Sequence, residues 1–206
     1  MDFLPLPLRG ILIGFAIAAP VGPIGLLCIQ RTLAKGWRVG FLSGLGAASA
    51  DAVYGMIAGL GLTAVSSFLV NQQSWLGLIG GLFLCYLGIK TLLAKGETAV
   101  ASTQNDQQGI AAAYLSIFAL TLTNPITILS FIAIFAGMGL GAEEMGVKTA
   151  VFFILGVFTG SAIWWLILSS GASLLRQRLQ PAHFHWINRL SGIIILSFGL
   201  VALFWQ

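Results

Sequence analysis

The sequence predicts an all-α integral membrane protein. Six transmembrane helices form two inverted three-helix repeats, with helices 1 and 4 broken by proline. Three observations lead there. Hydrophobic residues make up 58% of the chain and charged residues 8%, against about 25% charged in ordinary soluble domains. Uncharged runs of bilayer length alternate with short polar segments. The first helix of each half carries proline at mid-depth.

Composition excludes the soluble class, because 206 residues with so few charges do not supply a water-compatible surface. The 26 glycines follow no collagen period and suit closely packed transmembrane helices.

The charged residues delimit the helices. Helix 1 covers about 9–30, since Gly10 to Gln30 carries no charge. It is not expected to be a cleaved signal: Asp2 and two prolines precede it, no Lys or Arg comes before Arg9, and no clear small-residue cleavage site follows. Between Val39 and Ile89 the one charge is Asp51, and Asn71-Gln72-Gln73-Ser74 divides that interval into helix 2, about 40–62, and helix 3, about 73–93. Helix 4, about 112–138, lies in the uncharged run from Gln107 to Ala142. Helix 5, about 149–171, and helix 6, about 188–206, follow in the same way. Spanning helices need about 20 residues.

The stretch from Ala94 to Gly109 is the one extended polar segment, and its Gly, Ser, Thr, Asn and Gln content reads as a flexible cytoplasmic linker. The chain is thus a single transporter domain, 1–206, with repeat 1 at about 9–93, a linker at about 94–111 and repeat 2 at about 112–206. Three helices per half invert the halves relative to each other, as in many transporters.

Lys and Arg set the orientation. Arg31, Lys35, Arg38, Lys90, Lys95, Arg176, Arg178 and Arg189 fall in the loops of one side, and Arg9 and Lys148 on the other. Both termini should therefore face away from the cytoplasm. Topology accounts for the net charge of +4, and no nucleic-acid partner is expected.

Helix 1 contains Pro20, Gly22 and Pro23 within GFAIAAPVGPIGLLCIQ, and helix 4 contains Asn124-Pro125 within FALTLTNPITIL. A lone proline in a membrane helix usually only kinks it. Matched Gly/Pro interruptions in two halves are instead the best sequence pointer to a transport site. The backbone groups they release cannot face lipid and should line an enclosed or water-filled cavity.

Asp51 lies about 18 Å into helix 2 at 1.5 Å per residue, near the midplane, where a carboxylate is costly and functional by default. Its neighbours Gly44, Gly46, Ala47, Ala48, Ser49 and Ala50 are small and let another helix approach. Tyr54 follows at i+3 on the same face. Its hydroxyl can hold the carboxyl group or a ligand, or the ring can simply pack.

Other features read as structural. Small-residue pairs such as Gly77/Gly81 and Gly156/Gly160 are packing notches. Trp164, Trp165, Trp186 and Trp205 suit interfacial belts, with Trp164 or Trp165 able to reach a cavity. Cys28 and Cys85 read as small buried hydrophobes. His183 and His185 read as interfacial residues of a cytoplasmic loop. No Walker, HExxH or nucleophile-elbow motif occurs, so neither enzyme activity nor a cofactor is expected, and no metal site.

The Ala19–Pro23 sequence, the segment Gly46–Gly55 and Asn124-Pro125 together resemble the LysE/RhtB family of amino-acid exporters, over nearly the whole chain. Where many members have Pro-Gly-Pro in helix 1, here Val21 precedes Gly22-Pro23. The resemblance implies six helices and export of amino acids or close derivatives from the cytoplasm, coupled to the proton gradient. It places Pro20, Pro23, Asp51, Asn124 and Pro125 in the site, to which Gly22 and Tyr54 are added here. It also implies residence in a bacterial cytoplasmic (inner) membrane. Expected partners are a small-molecule amino-acid substrate, protons and the lipid bilayer. Assembly as a homo-oligomer is compatible with the sequence, and the amino acid itself is left open.

Two rival readings belong to other classes. Thiol-disulfide electron carriers of similar plan need a cysteine in each broken helix, and helix 4 has none. A metal-ion exporter of the same superfamily is the alternative, although hard cations want several carboxylates and softer ones His or Cys, and the spans offer Asp51 alone.

Overall fold

The chain opens with two short helices set at a sharp angle. In this computed structural model, which describes residues 5–59, 71–93, 106–124, 126–131, 147–176 and 181–204, α1 (Leu6–Ala18) and α2 (Pro23–Lys35) are bent by 81° across the intervening residues. Pro20 has no N–H to continue the ladder of α1. Pro23 is the first residue of α2, a place where the missing donor would be unsatisfied anyway. Gly22 precedes it in extended backbone.

Gly36, at φ 96°, ends α2 in the left-handed region that glycine enters most readily. The chain turns there into α3 (Trp37–Gly59). The two helices lie so close that a Cβ on Gly40 would overlap the Thr32 hydroxyl. Then come α4 (Gln73–Leu92), α5 (Asp106–Leu122), a helical turn and a half at 126–131, α6 (Val147–Arg176) and α7 (Pro181–Phe204). No strand occurs among the described residues.

Glycine notches place the helices. A Cβ on Gly10 or Gly14 of α1 would strike the backbone of Phe153 or Val157 on α6, and one on Gly156 or Gly160 would strike Pro7 or Ile11 in return. Helices α4 and α7 meet through Gly81 and Gly88 against Gly192 and Gly199. A third close approach sets Gly46 of α3 against the Tyr114 carbonyl of α5. The long helices α3 and α6 also pack on each other, and small residues permit backbone proximity throughout.

The outward faces are apolar. Phe152, Leu155, Ile163, Leu166 and Ile167 of α6 are exposed, as are Ile79 and Leu82 of α4, and contiguous apolar surface of this kind suits lipid. Within α6, the stretch Lys148–Leu175 is long and apolar enough to cross a membrane, while Leu6–Ala18 and Pro23–Lys35 meet that test only as a bent pair. Gly77–Leu92, Gly109–Leu122 and Arg189–Val201 are shorter apolar helical stretches.

Several element boundaries differ from expectation. Helix α2 runs on to Lys35, so Arg31 and Lys35 are helical rather than loop residues. Nothing in Arg31–Lys35 breaks a helix before Gly36 does. Helix α5 begins at Asp106, inside the expected linker. Helix α7 begins at Pro181, which puts the backbone of His183 and His185 in a helix instead of a loop, with proline in its favoured opening position.

Candidate functional site

Asp51 is 2% exposed and lies where α3 faces α6. Ser161 of α6 donates its hydroxyl to Asp51 Oδ2 at 2.7 Å. Trp165, one turn on, donates its indole Nε1–H to the same serine oxygen at 3.0 Å. The three side chains form a buried line, Trp165 to Ser161 to Asp51, in which each donor has an acceptor. The approach is close because the facing residues are small: a Cβ on Gly44 would press into Trp165, and Ala47, Ala48 and Ala50 are fully enclosed.

This line runs toward the first break. Trp165 shares a core cluster with Ala18, Ile24 and Cys28, the residues on either side of the bend between α1 and α2. Its neighbour Trp164 packs edge-on against Phe15 of α1 at 5.5 Å, and the Trp164 Nε1–H is buried without a hydrogen-bond partner among the described residues.

Tyr54 runs toward the second break. Its hydroxyl donates to the carbonyl oxygen of Leu122, the last residue of α5, at 2.6 Å, and its ring packs against Phe131 at 5.1 Å. An uninterrupted helix would use that carbonyl to accept the N–H of Ile126. Here the Ile126 N–H goes instead to Asn124 Oδ1 at 3.1 Å. Asn124 therefore acts as the N-cap of the segment at 126–131, a role to which asparagine is well suited. The tyrosine hydroxyl supplies the donor that the break removes. Its hydrogen bond in this structure goes to that carbonyl and not to the Asp51 carboxyl group.

The two breaks meet at a cavity of about 220 Å³. Pro23 contributes from α2, Thr123, Asn124 and Ile126 from the second break, Gly80, Gly81 and Leu84 from α4, and Phe198 and Val201 from α7. The structure thus brings Pro23 and Asn124 to one wall system. Asp51 and Tyr54 are not among its described lining residues, and Pro20 is exposed at the bend. Pro125 lies outside the described residues, as do the side chains of His183 and His185. Ser161 and Trp165 were not singled out for Asp51, because a serine in an apolar helix carries no distinguishing pattern.

Residues 15–205, nearly the whole chain, match the family model described as LysE type translocator. The chain belongs to that family. Among its curated relatives is a putative amino acid efflux protein, YcgF, of Bacillus subtilis, 28% identical over 192 residues that cover 92% of this chain and 90% of the relative. The membrane protein YahN of Escherichia coli is 30% identical over 84% of this chain and 77% of its own length. The threonine efflux protein of Salmonella typhimurium is 24% identical, with 90% of each chain covered. No solved structure matches the chain. This LysE-family protein is thus a membrane translocator with amino-acid efflux proteins among its relatives, and the family's members are transporters rather than enzymes.

Proposed function

We propose that this protein exports amino acids or close derivatives from the cytoplasm by proton antiport, with the substrate held at the cavity between the two helix breaks and Asp51 as the coupling acid. The observation that carries this reading is the shared cavity. One wall comes from each broken segment, Pro23 from the first and Thr123–Asn124 from the second, at the places where a transporter exposes backbone groups to its cargo. Among the described residues its polar side chains are Asn124 and Thr123, and none of them is a carboxylate, thiol or imidazole. That composition suits a small zwitterion better than the metal ion of the alternative reading.

The packing pattern supports two inverted repeats. If α1 with α2, α3 and α4 make one half, and α5 with 126–131, α6 and α7 the other, each helix has a counterpart. Helix α1 then packs on α6 as α5 packs on α3, while α3–α6 and α4–α7 are pairs of counterparts. Glycine notches recur in register: Gly156 and Gly160 admit α1, and Gly46 admits α5. In this reading six spans cross a bacterial inner membrane with both termini outside the cytoplasm.

In this reading coupling rests on Asp51, buried on the helix that Tyr54 ties to the second break. Ionised, it attracts the substrate's ammonium group; protonated, it does not. Proton and substrate therefore compete, and a proton taken up outside releases the cargo there. Tyr54 links this acid's helix to Leu122, whose neighbours Thr123 and Asn124 line the cavity. Counterflow in proteoliposomes, with labelled amino acids and divalent metals as the panel, tests the reading. Exchange of one or more amino acids is expected, and exchange of metals alone would replace it with the metal-exporter alternative.

A further inference from the structure

Arg31 stands inside the helix packing, although its charge belongs by sequence among the loop residues. Its guanidinium joins three helices. From α2, Nη1 donates to Ser43 Oγ of α3 at 3.1 Å and to the Ala113 carbonyl of α5 at 2.7 Å, and Nη2 donates to Ser116 Oγ of α5 at 2.8 Å. All three acceptors are uncharged. Ser43 is wholly buried, and Arg31 itself is partly buried. No acidic side chain among the described residues faces it: Asp51 is engaged with Ser161 and sits eight residues beyond Ser43 along α3, about 12 Å at helical rise.

Buried charges are ordinarily paired with an opposite charge. A guanidinium is also the side chain best shaped for a carboxylate, which it grips through two parallel N–H bonds. This one is held by neutral oxygens that a carboxylate can displace, since charge-assisted bonds are roughly twice as strong as neutral ones. Its place is equally informative. Arg31 is eight residues past Pro23, again about 12 Å, toward the side where α2 ends and α5 begins. The lysine and arginine bias makes that side cytoplasmic.

We propose that Arg31, with Ser43 and Ser116, forms a carboxylate-binding station on the cytoplasmic side of the breaks. It takes the carboxylate of the outgoing substrate before the cavity does. The amino-acid part of this assignment rests on the exporter reading above; the carboxylate part does not. Binding exchanges the guanidinium's contact to the Ala113 carbonyl for the ligand, whose carboxylate the Ser43 and Ser116 hydroxyls then also reach, and this loosens α5 from α2 on the side the cargo enters.

The test uses full-length protein in detergent, with 100 mM sodium propionate against 100 mM propionamide at matched ionic strength, read as a shift in Tm. Propionate but not propionamide is expected to stabilise the wild type. Arg31→Gln should abolish that shift, and Arg31→Lys should retain a smaller one. Ser43→Ala/Ser116→Ala, which keeps the guanidinium, should weaken propionate binding several-fold and covers the case in which Arg31→Gln does not fold. In proteoliposomes, Arg31→Lys should raise KM for amino acids on the cytoplasmic face at least tenfold with a smaller change in kcat. A wild-type response equal for propionate and propionamide, or a propionate shift unchanged in Arg31→Gln or the double serine variant, would overturn the station and leave Arg31 a clamp between helices. An Arg31-dependent propionate shift without amino-acid counterflow would keep the station and reject the amino-acid cargo.

Discussion

The hydroxyl of Tyr54 donates to the carbonyl oxygen of Leu122 at 2.6 Å, replacing the hydrogen bond that the break after α5 removes. Because Tyr54 is one turn from Asp51, the buried acid and the second helix break are tied to the same face of α3. Removing that hydroxyl leaves a carbonyl without its donor, at a cost of about 1–3 kcal/mol. Tyr54→Phe retains the ring contact with Phe131 and should lower Tm while also slowing counterflow. Full wild-type stability and rate would assign the hydroxyl no part in holding the break.

The prolines give a second expectation. Pro20→Ala together with Pro125→Ala restores backbone donors and removes the obstacle to continuous helix, since proline costs roughly 3 kcal/mol in a helix interior. The double variant should insert normally, be at least as stable as the wild type, and lose export. Wild-type export rates in it would make the breaks structural only.

Topology can be read directly. Alkaline-phosphatase fusions after Ser74 and at Gln206 should be active, and a fusion after Gly96 inactive. Activity at Gly96 would invert the orientation, and with it the side assigned to the Arg31 station.

Some of this arrangement was legible in the sequence for plain physical reasons. A lone acid in an apolar run has few fates, so Asp51 stood out, and its small neighbours announced a close helix approach that Gly44 and Ala48 make against α6 and its surroundings. Gly156 and Gly160 likewise read as notches and are notches. What stayed hidden were the partners. Ser161 is one of many serines in apolar helices, and the acceptor for Tyr54 is a backbone carbonyl, which has no signature in residue type. Arg31 was read as a loop charge because hydropathy marks where lipid-compatible sequence stops, whereas a helix stops only where its backbone does, at Gly36. Asn124 lines the cavity as its place in the break suggests, and its side-chain oxygen also caps the helical segment that follows it, a contact no residue pattern announces.

In the proposed mechanism Asp51 exchanges a proton for the substrate's ammonium group. Low cytoplasmic pH keeps the acid protonated and excludes the substrate, so export should slow as cytoplasmic pH falls. Asp51→Asn keeps size and a partner for Ser161 but cannot titrate. The most direct measurement is net amino-acid transport by reconstituted Asp51→Asn protein under an imposed proton gradient, at a series of internal pH values. Folded protein with no gradient-driven net export, and with any residual exchange independent of pH, is the predicted result. Uphill export with an unchanged pH profile would contradict the account.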